Sequence, residues 1–303
     1  MKTAFKFVEK KNLWLVISTA VILLGFSLMG FRALSSQPTL NYGIDFVGGN
    51  TFLLKLIDKE VQLNDSKLIS DTRSALASYG LAKSQIQLSE NNQLYIKTTS
   101  IDKNITSAIL NDLKASLGNF EILEIDYIGP SIGATLKKQS LWIILFVSLS
   151  LLLYISIRFE LSFGLAALAA VLHDALVIIS VSSILSLEIN TAFIAAILTI
   201  LGYSINDTIV IFDRIREQLE KLKNKKSLID ITNISLNQTL LRTINTSITT
   251  LLVIGSLILF SDGTIKEFCL ILLVGIISGT YSSLCIASPL FTLLYKESDT
   301  EHI

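Results

Sequence analysis

The stretch with the most chemical content in this sequence is a carboxylate inside an apolar run. Thr199–Glu217 begins uncharged, takes the pair Asn206-Asp207 in mid-stride, stays apolar to Phe212 and turns charged at Asp213, Arg214 and Arg216. A carboxylate within a membrane-length segment costs about 2.5–3.5 kcal/mol on insertion scales, so it is rarely there without a function. The bland alternative is interhelical hydrogen-bonding glue worth about 0.6–2 kcal/mol. At about 100° per residue, Thr199, Gly202, Tyr203, Asn206 and Asp207 share one helix face. That face is expected to point into a bundle or a watery seam.

Two further polar sets interrupt apolar runs. Gln238, Thr239, Arg242, Asn245, Thr246, Thr249 and Thr250 recur at three- and four-residue steps, and a stripe led by an arginine exceeds what Ser/Thr packing requires. Counted along the helix axes, Asp207 lies about 28 Å from the Glu188–Asn190 loop and Arg242 about 30 Å from Asp262. At equal depth each is the natural partner of the other, because an unpaired charge there is costly. The expected chemistry is a proton switch. Protonation neutralises Asp207 and releases Arg242, while Asn206 and Thr246 relay or position water. The third set is His173-Asp174, near the centre of Leu161–Leu187 and secondary together with Asn245. Adjacent residues do not share a face, so a pair tied separately to neighbouring helices is the competing reading.

The class follows from composition. The chain has 303 residues, 51% hydrophobic and 17% charged, with a formal net charge of zero. A soluble domain carries about a quarter charged residues. The neutral balance gives no argument for nucleic-acid binding, and apolar runs of membrane length imply a polytopic membrane protein surrounded by lipid. Cys269 and Cys285 would stand about 24 Å apart on one helix, beyond disulfide reach. No metal-ligand spacing, nucleophile–base pair or phosphate loop stands out, so no cofactor, metal or enzymatic activity is expected.

In chain order, a basic start (residues 1–12) precedes a first membrane helix over 13–31. Residues 32–139 form the one long polar stretch. Its pattern reads strand Thr51–Ile57, helix Asn64–Tyr79, strands Gln85–Leu88 and Leu94–Thr98 joined at Glu90-Asn91-Asn92, helix Ile101–Leu117 and strand Phe120–Tyr127. Leu68, Ile69, Leu76 and Tyr79 on the first helix, and Ile105, Ile109 and Leu113 on the second, are the expected core positions. The order β-α-β-β-α-β is the split ferredoxin-like arrangement. Two glycine motifs fence it: Gly43, Asp45, Gly48 and Gly49 on one side, Gly129, Pro130 and Gly133 on the other, suited to tight turns and close backbone approach.

Five more helices are expected over 140–295, with a basic loop at 213–236, a Gly275-xxx-Gly279-xxx-Ser283 packing face, a kink at Pro289 and a tail at 296–303. Lys10, Lys11, Arg158, Arg214–Lys226 and Lys296 all fall on one side, so both termini are expected in the cytoplasm and the α+β domain outside.

With these pieces placed, the chain resembles the SecD/SecF family of the RND superfamily along nearly its whole length. The carriers are Gly43–Gly49, Gly129–Gly133, Leu172-His173-Asp174, Gly202–Glu217 and Asn237–Thr246. The resemblance implies half of an RND-type bundle of six membrane helices in the bacterial cytoplasmic (inner) membrane. It implies coupling of proton-motive force to late export of unfolded preproteins, with H⁺ or alternatively Na⁺ as the coupling ion. The partners implied are SecD, which would supply the other half, the SecYEG translocon and YajC. In that family the residues matching Asp207 and Arg242 belong to the proton pathway. The other readings are half of an RND-type exporter of small molecules or lipids, and a non-transporting scaffold. The small polar domain argues against the first and the intramembrane charges against the second.

Overall fold

The computed structural model describes residues 5–57, 65–82, 84–89, 92–99, 101, 103–222, 225–261 and 263–295. Asn64, the Glu90-Asn91 part of the hairpin turn, Asp262 and the 296–303 tail lie outside the described residues. The chain divides into an α/β unit, Tyr42–Leu141, and a helical unit made of Met1–Asn41 and Trp142–Ile303.

The short strand β1 (Asn41–Tyr42) falls at the boundary, and the α/β unit then runs from short helix α2 (Ile44–Val47) through β2 (Gly49–Leu56), α3 (Asp65–Ala77), β3 (Gln85–Leu88), β4 (Gln93–Thr98), α4 (Lys103–Leu117) and β5 (Phe120–Ile128). The four-stranded sheet has the order β3-β4-β2-β5, with each neighbouring pair antiparallel. That is the split order expected from the sequence. Phe52, Leu54, Leu94 and Ile96 from the sheet meet Leu68 and Leu76 of α3 and Ile109, Leu113 and Leu117 of α4 in one core.

Ile105 departs from expectation, being 40% exposed. Four-residue steps advance about 400°, so a stripe drifts by about 40° each time. With Ile109, Leu113 and Leu117 centred on the core, Ile105 is carried off its edge.

Edge strand β5 is the unfinished part of this unit. Ile122 and Ile125 are paired with the fully buried Leu54 and Phe52, yet Ile122, Ile125 and Tyr127 are 39–48% exposed. The apolar face of the sheet therefore runs past its helices onto an uncovered edge.

The glycine motifs pack against each other within this unit. A Cβ at Gly133 would lie 3.0 Å from the Gly48 nitrogen and 3.0 Å from the Phe46 carbonyl carbon. Gly48 itself has φ +81° and would meet Pro130 Cα at 2.8 Å, so only glycine satisfies both the backbone angle and the approach.

The helical unit contains α1 (Lys11–Leu34), most of α5 (Pro130–Arg158), α6 (Leu161–Leu185), the short strand β6 (Glu188–Ile189), α7 (Thr191–Leu222), α8 (Leu228–Phe260), α9 (Gly263–Ser282), a π-helix at Ser283–Ala287 and α10 (Ser288–Leu294). Among the described residues, six helices are long and apolar enough to cross a membrane, the last running from Gly263 to Leu294. Helix α9 packs against α6, α7 and α8, and α1 packs against α6.

The stretch expected as a loop over 213–236 is helical through Leu222 and again from Leu228. Ile215 and Gln218 continue the buried face of α7 past the charged residues, and the Ser227 hydroxyl caps α8 by accepting from the Asp230 amide at 3.2 Å. At the other end, Pro130 opens α5 about ten residues before the apolar run, in the first-turn position that proline favours. Pro289 follows the π-helix, because a residue with no N–H cannot continue the regular ladder.

Candidate functional site

The Gly275/Gly279 face of α9, continued by Ser283 at the start of the π-helix, lies against α7 in register. A Cβ at Gly275 would overlap Ile200, one at Gly279 would sit 2.8 Å from Ser204 Cβ, and Ser283 Oγ meets Thr208 Oγ1 at 2.9 Å. This close approach fixes the rotation of α7. It turns Ser204, Asp207 and Thr208 inward and leaves Thr199, Gly202 and Asn206 on the open side. The expected shared polar face is thus split, since Asn206 stands about 100° round from Asp207.

Asp207 is 4% exposed, and its Oδ2 is buried without a hydrogen-bond partner. Arg242 is exposed on α8, and no ion pair or hydrogen bond joins the two. The expected Asp207–Arg242 pair makes no direct bond in this arrangement, although Arg242 stands close enough to attract the Asp207 carboxylate electrostatically. Equal axial depth is one coordinate, and azimuth on α8 carries the guanidinium outward. Arg242, Asn245, Thr246 and Thr249 form an exposed polar stripe, with Asn206 exposed on α7. Tyr203 Oη and Thr250 Oγ1, 3.3 Å apart, tie the two helices together. Thr239, by contrast, turns inward with Thr243 and Ser247, and Ser247 Oγ contacts Thr280 Oγ1 at 2.6 Å.

Polar side chains at membrane depth do not face lipid; they face a bundle interior or a water-filled cavity. The α7/α8 face therefore reads as one wall of a seam.

A second well-connected polar group in the helical unit is Asp174, fully buried on α6. Its Oδ1 accepts from Ser278 Oγ at 2.7 Å, and its Oδ2 accepts from Ser204 Oγ and Ser282 Oγ, each at 2.7 Å. His173 Nδ1 lies 3.2 Å from Oδ1. One carboxylate thus joins α6, α7 and α9. His173 and Asp174 touch despite being adjacent, because the ring folds back onto its neighbour's carboxylate. Each is also tied to neighbouring helices, as the competing reading expects: His173 to Ser18 of α1, and Asp174 to serines of α7 and α9. The signal in the sequence was the four-residue spacing of Ser278 and Ser282 alongside the glycine ladder. A packing face read from Gly275, Gly279 and Ser283 alone leaves these hydroxyl donors unnoticed.

Comparisons agree with this architecture. A family described as protein export membrane protein SecD/SecF, C-terminal, matches residues 108–297. A protein translocase subunit SecF of Sebaldella termitidis is 42% identical over 294 residues, covering 96% of this chain and 92% of the relative. One of Borreliella burgdorferi is 35% identical over 288 residues, covering 93% and 95%. Among solved structures, SecDF of Thermus thermophilus, a translocon-associated membrane protein, superposes with a TM-score of 0.81 at 33% identity, over 95% of this chain and 38% of that one. SecDF in a super-membrane-facing form gives 0.63 at 32% identity, over 97% and 39%. The chain thus spans well under half of the SecDF chains. By length of match and by identity, it belongs to the SecD/SecF family of protein export membrane proteins.

Proposed function

We propose that this chain is an accessory subunit of the Sec preprotein translocase, in which proton-motive force drives late export of unfolded polypeptides across the bacterial cytoplasmic membrane. The observation that carries the reading is Asp207, a nearly buried carboxyl with one unpartnered oxygen beside an open polar wall. A proton on that oxygen neutralises a charge that is otherwise costly in the membrane, and its loss restores the attraction for Arg242. H⁺ is the coupling ion, with Na⁺ the alternative. No enzymatic step is involved.

The exposed wall of Asn206, Arg242, Asn245 and Thr246 requires a cover, and a SecD subunit supplies it in this reading. SecYEG is the docking partner and YajC a further one. Pull-down of the tagged chain from native membranes should recover SecD and SecYEG. Recovery of an unrelated efflux partner instead would refute the assignment.

The α/β unit faces the outer side, and both termini are cytoplasmic. Its uncovered β5 edge suits weak pairing with an extended chain, where main-chain hydrogen bonds give affinity and apolar side chains add to it. A membrane-impermeant crosslinker added from outside should join β5 to a stalled preprotein, and Ile125→Glu should reduce that yield severalfold. Equal yield from the variant would make the unit a passive cap.

A further inference from the structure

His173 lies where three helices meet, and its proton inventory can be counted. The ring is 10% exposed, at the side of a groove of about 300 Å³ lined by Ile17, Ser18 and Val21 of α1, Val177 and Val181 of α6, and Tyr281 of α9. Nε2 is 2.9 Å from Ser18 Oγ, Ser18 Oγ is 3.2 Å from Tyr281 Oη, and Tyr281 Oη is 2.6 Å from the Trp14 carbonyl oxygen.

A main-chain carbonyl only accepts, so Tyr281 donates to Trp14. The tyrosine oxygen then accepts from Ser18, which uses the single hydroxyl proton of that serine. Ser18 can therefore only accept from His173, and Nε2 carries a hydrogen. On the other side, Nδ1 lies 3.2 Å from Oδ1 of Asp174, whose carboxyl already accepts three serine hydroxyls. That donor set fits an ionised carboxylate, which can only accept, so Nδ1 carries a hydrogen too. Both ring nitrogens are donors.

We propose that His173 is a second proton-binding site of this chain, held as an imidazolium between Asp174 and Ser18, whose proton controls the Ser18–Tyr281 bond between α1 and α9. The step balances simply. The Nε2–H bond breaks, the proton passes to water reaching the exposed edge of the ring, and the neutral imidazole keeps its hydrogen on Nδ1. Nε2 then accepts, so the Ser18 hydroxyl turns towards it and leaves Tyr281. Proton uptake reverses each move. Among the described residues, the ionisable groups around the ring are Asp174 on its own helix, Tyr281 on α9 and, one turn further, Cys285 in the π-helix; α1 brings Ile17, Ser18 and Val21 to the groove.

The role in transport rests on the proposed ion-driven function, whereas the charge of His173 does not. The chain has two histidines, His173 and His302, so a His302→Gln variant leaves one histidine signal. In the full-length protein labelled with ¹⁵N-histidine and held in lipid nanodiscs at pH 7, both ring nitrogens should show protonated shifts. A neutral tautomer in that spectrum overturns the proposal, whether or not any substituted protein folds. Asp174→Asn, where it folds, should convert the ring to a neutral tautomer; an unchanged imidazolium would show that Asp174 is not its counter-charge and would overturn the pairing. His173→Gln keeps hydrogen-bonding groups without a titrating ring, and should lose most ion-driven export and flatten its pH profile. Normal export with an unaltered pH profile would overturn the proton-carrying role. If the unsubstituted complex itself shows no ion-driven export, the proposed function fails while the spectrum still judges His173.

Discussion

Asp207→Asn should abolish ion-driven export while leaving the protein folded, at normal abundance and bound to its partners. The two side chains are nearly isosteric, so the packing of α7 against α9 is unaffected. Oδ2 accepts no hydrogen bond in this arrangement, so the substitution breaks none there. An amide nitrogen left buried without a partner would cost about 1–3 kcal/mol, but the amide can turn it to the less enclosed side. What it cannot do is take up and release a proton. Groups that transfer protons contribute on the order of 10²–10⁴ in rate, and the ion-driven component should fall by at least the lower figure. A purely structural Asp207 would give the opposite pattern, with lower abundance and normal export per surviving molecule. Quantitative immunoblotting beside an export assay separates the two.

Gly25→Ala should be severely disruptive although it adds one methyl group. A Cβ at Gly25 would lie 2.4 Å from Ser180 Cβ and 2.5 Å from Ser180 Cα, closer than side chains or backbone can yield. Helices α1 and α6 must separate at the crossing. The bonds that tie them are then strained: Ser180 Oγ to the Ile22 carbonyl, Arg32 to the Ser183 carbonyl, and His173 to Ser18. Overpacking of this kind costs about 1–3 kcal/mol. Gly30, five residues on in the same helix, supplies the control, because nothing lies within 4 Å of its Cβ position. Gly30→Ala should be neutral or stabilising by about 0.5–1 kcal/mol, the usual helix penalty of glycine. Thermal unfolding in detergent compares the two, and equal midpoints would mean that the α1–α6 crossing is not as close as described.

These two residues also show what a sequence conveys. The membrane helices were legible because hydropathy over about 20 residues is set by composition alone. The split α/β order was legible because strand alternation and helix periodicity are local. Even the Gly275/Gly279 face could be read, since small residues at four-residue spacing have few other uses. Gly25 gave no such signal; a lone glycine opposite Ser180 becomes meaningful only when both helices are placed.

The Asp207–Arg242 pair is present only as an electrostatic attraction without a direct bond, for a related reason. Depth follows from counting residues, but which way a helix is rotated depends on what it packs against. Ser204 and Ile200, seated on the glycine ladder, decide it for α7, and the inward-facing Thr239, Thr243 and Ser247 decide it for α8. Asp174 was recognised as chemically unusual, yet its serine donors come from two other helices, and convergence of that kind is tertiary information.

The most direct measurement is proton uptake during export in inverted membrane vesicles containing the assembled complex, unsubstituted or Asp207→Asn. The account predicts proton movement that accompanies export, disappears with a protonophore, and is absent from the Asp207→Asn vesicles at equal protein content. Equal proton movement and equal export from both would contradict it.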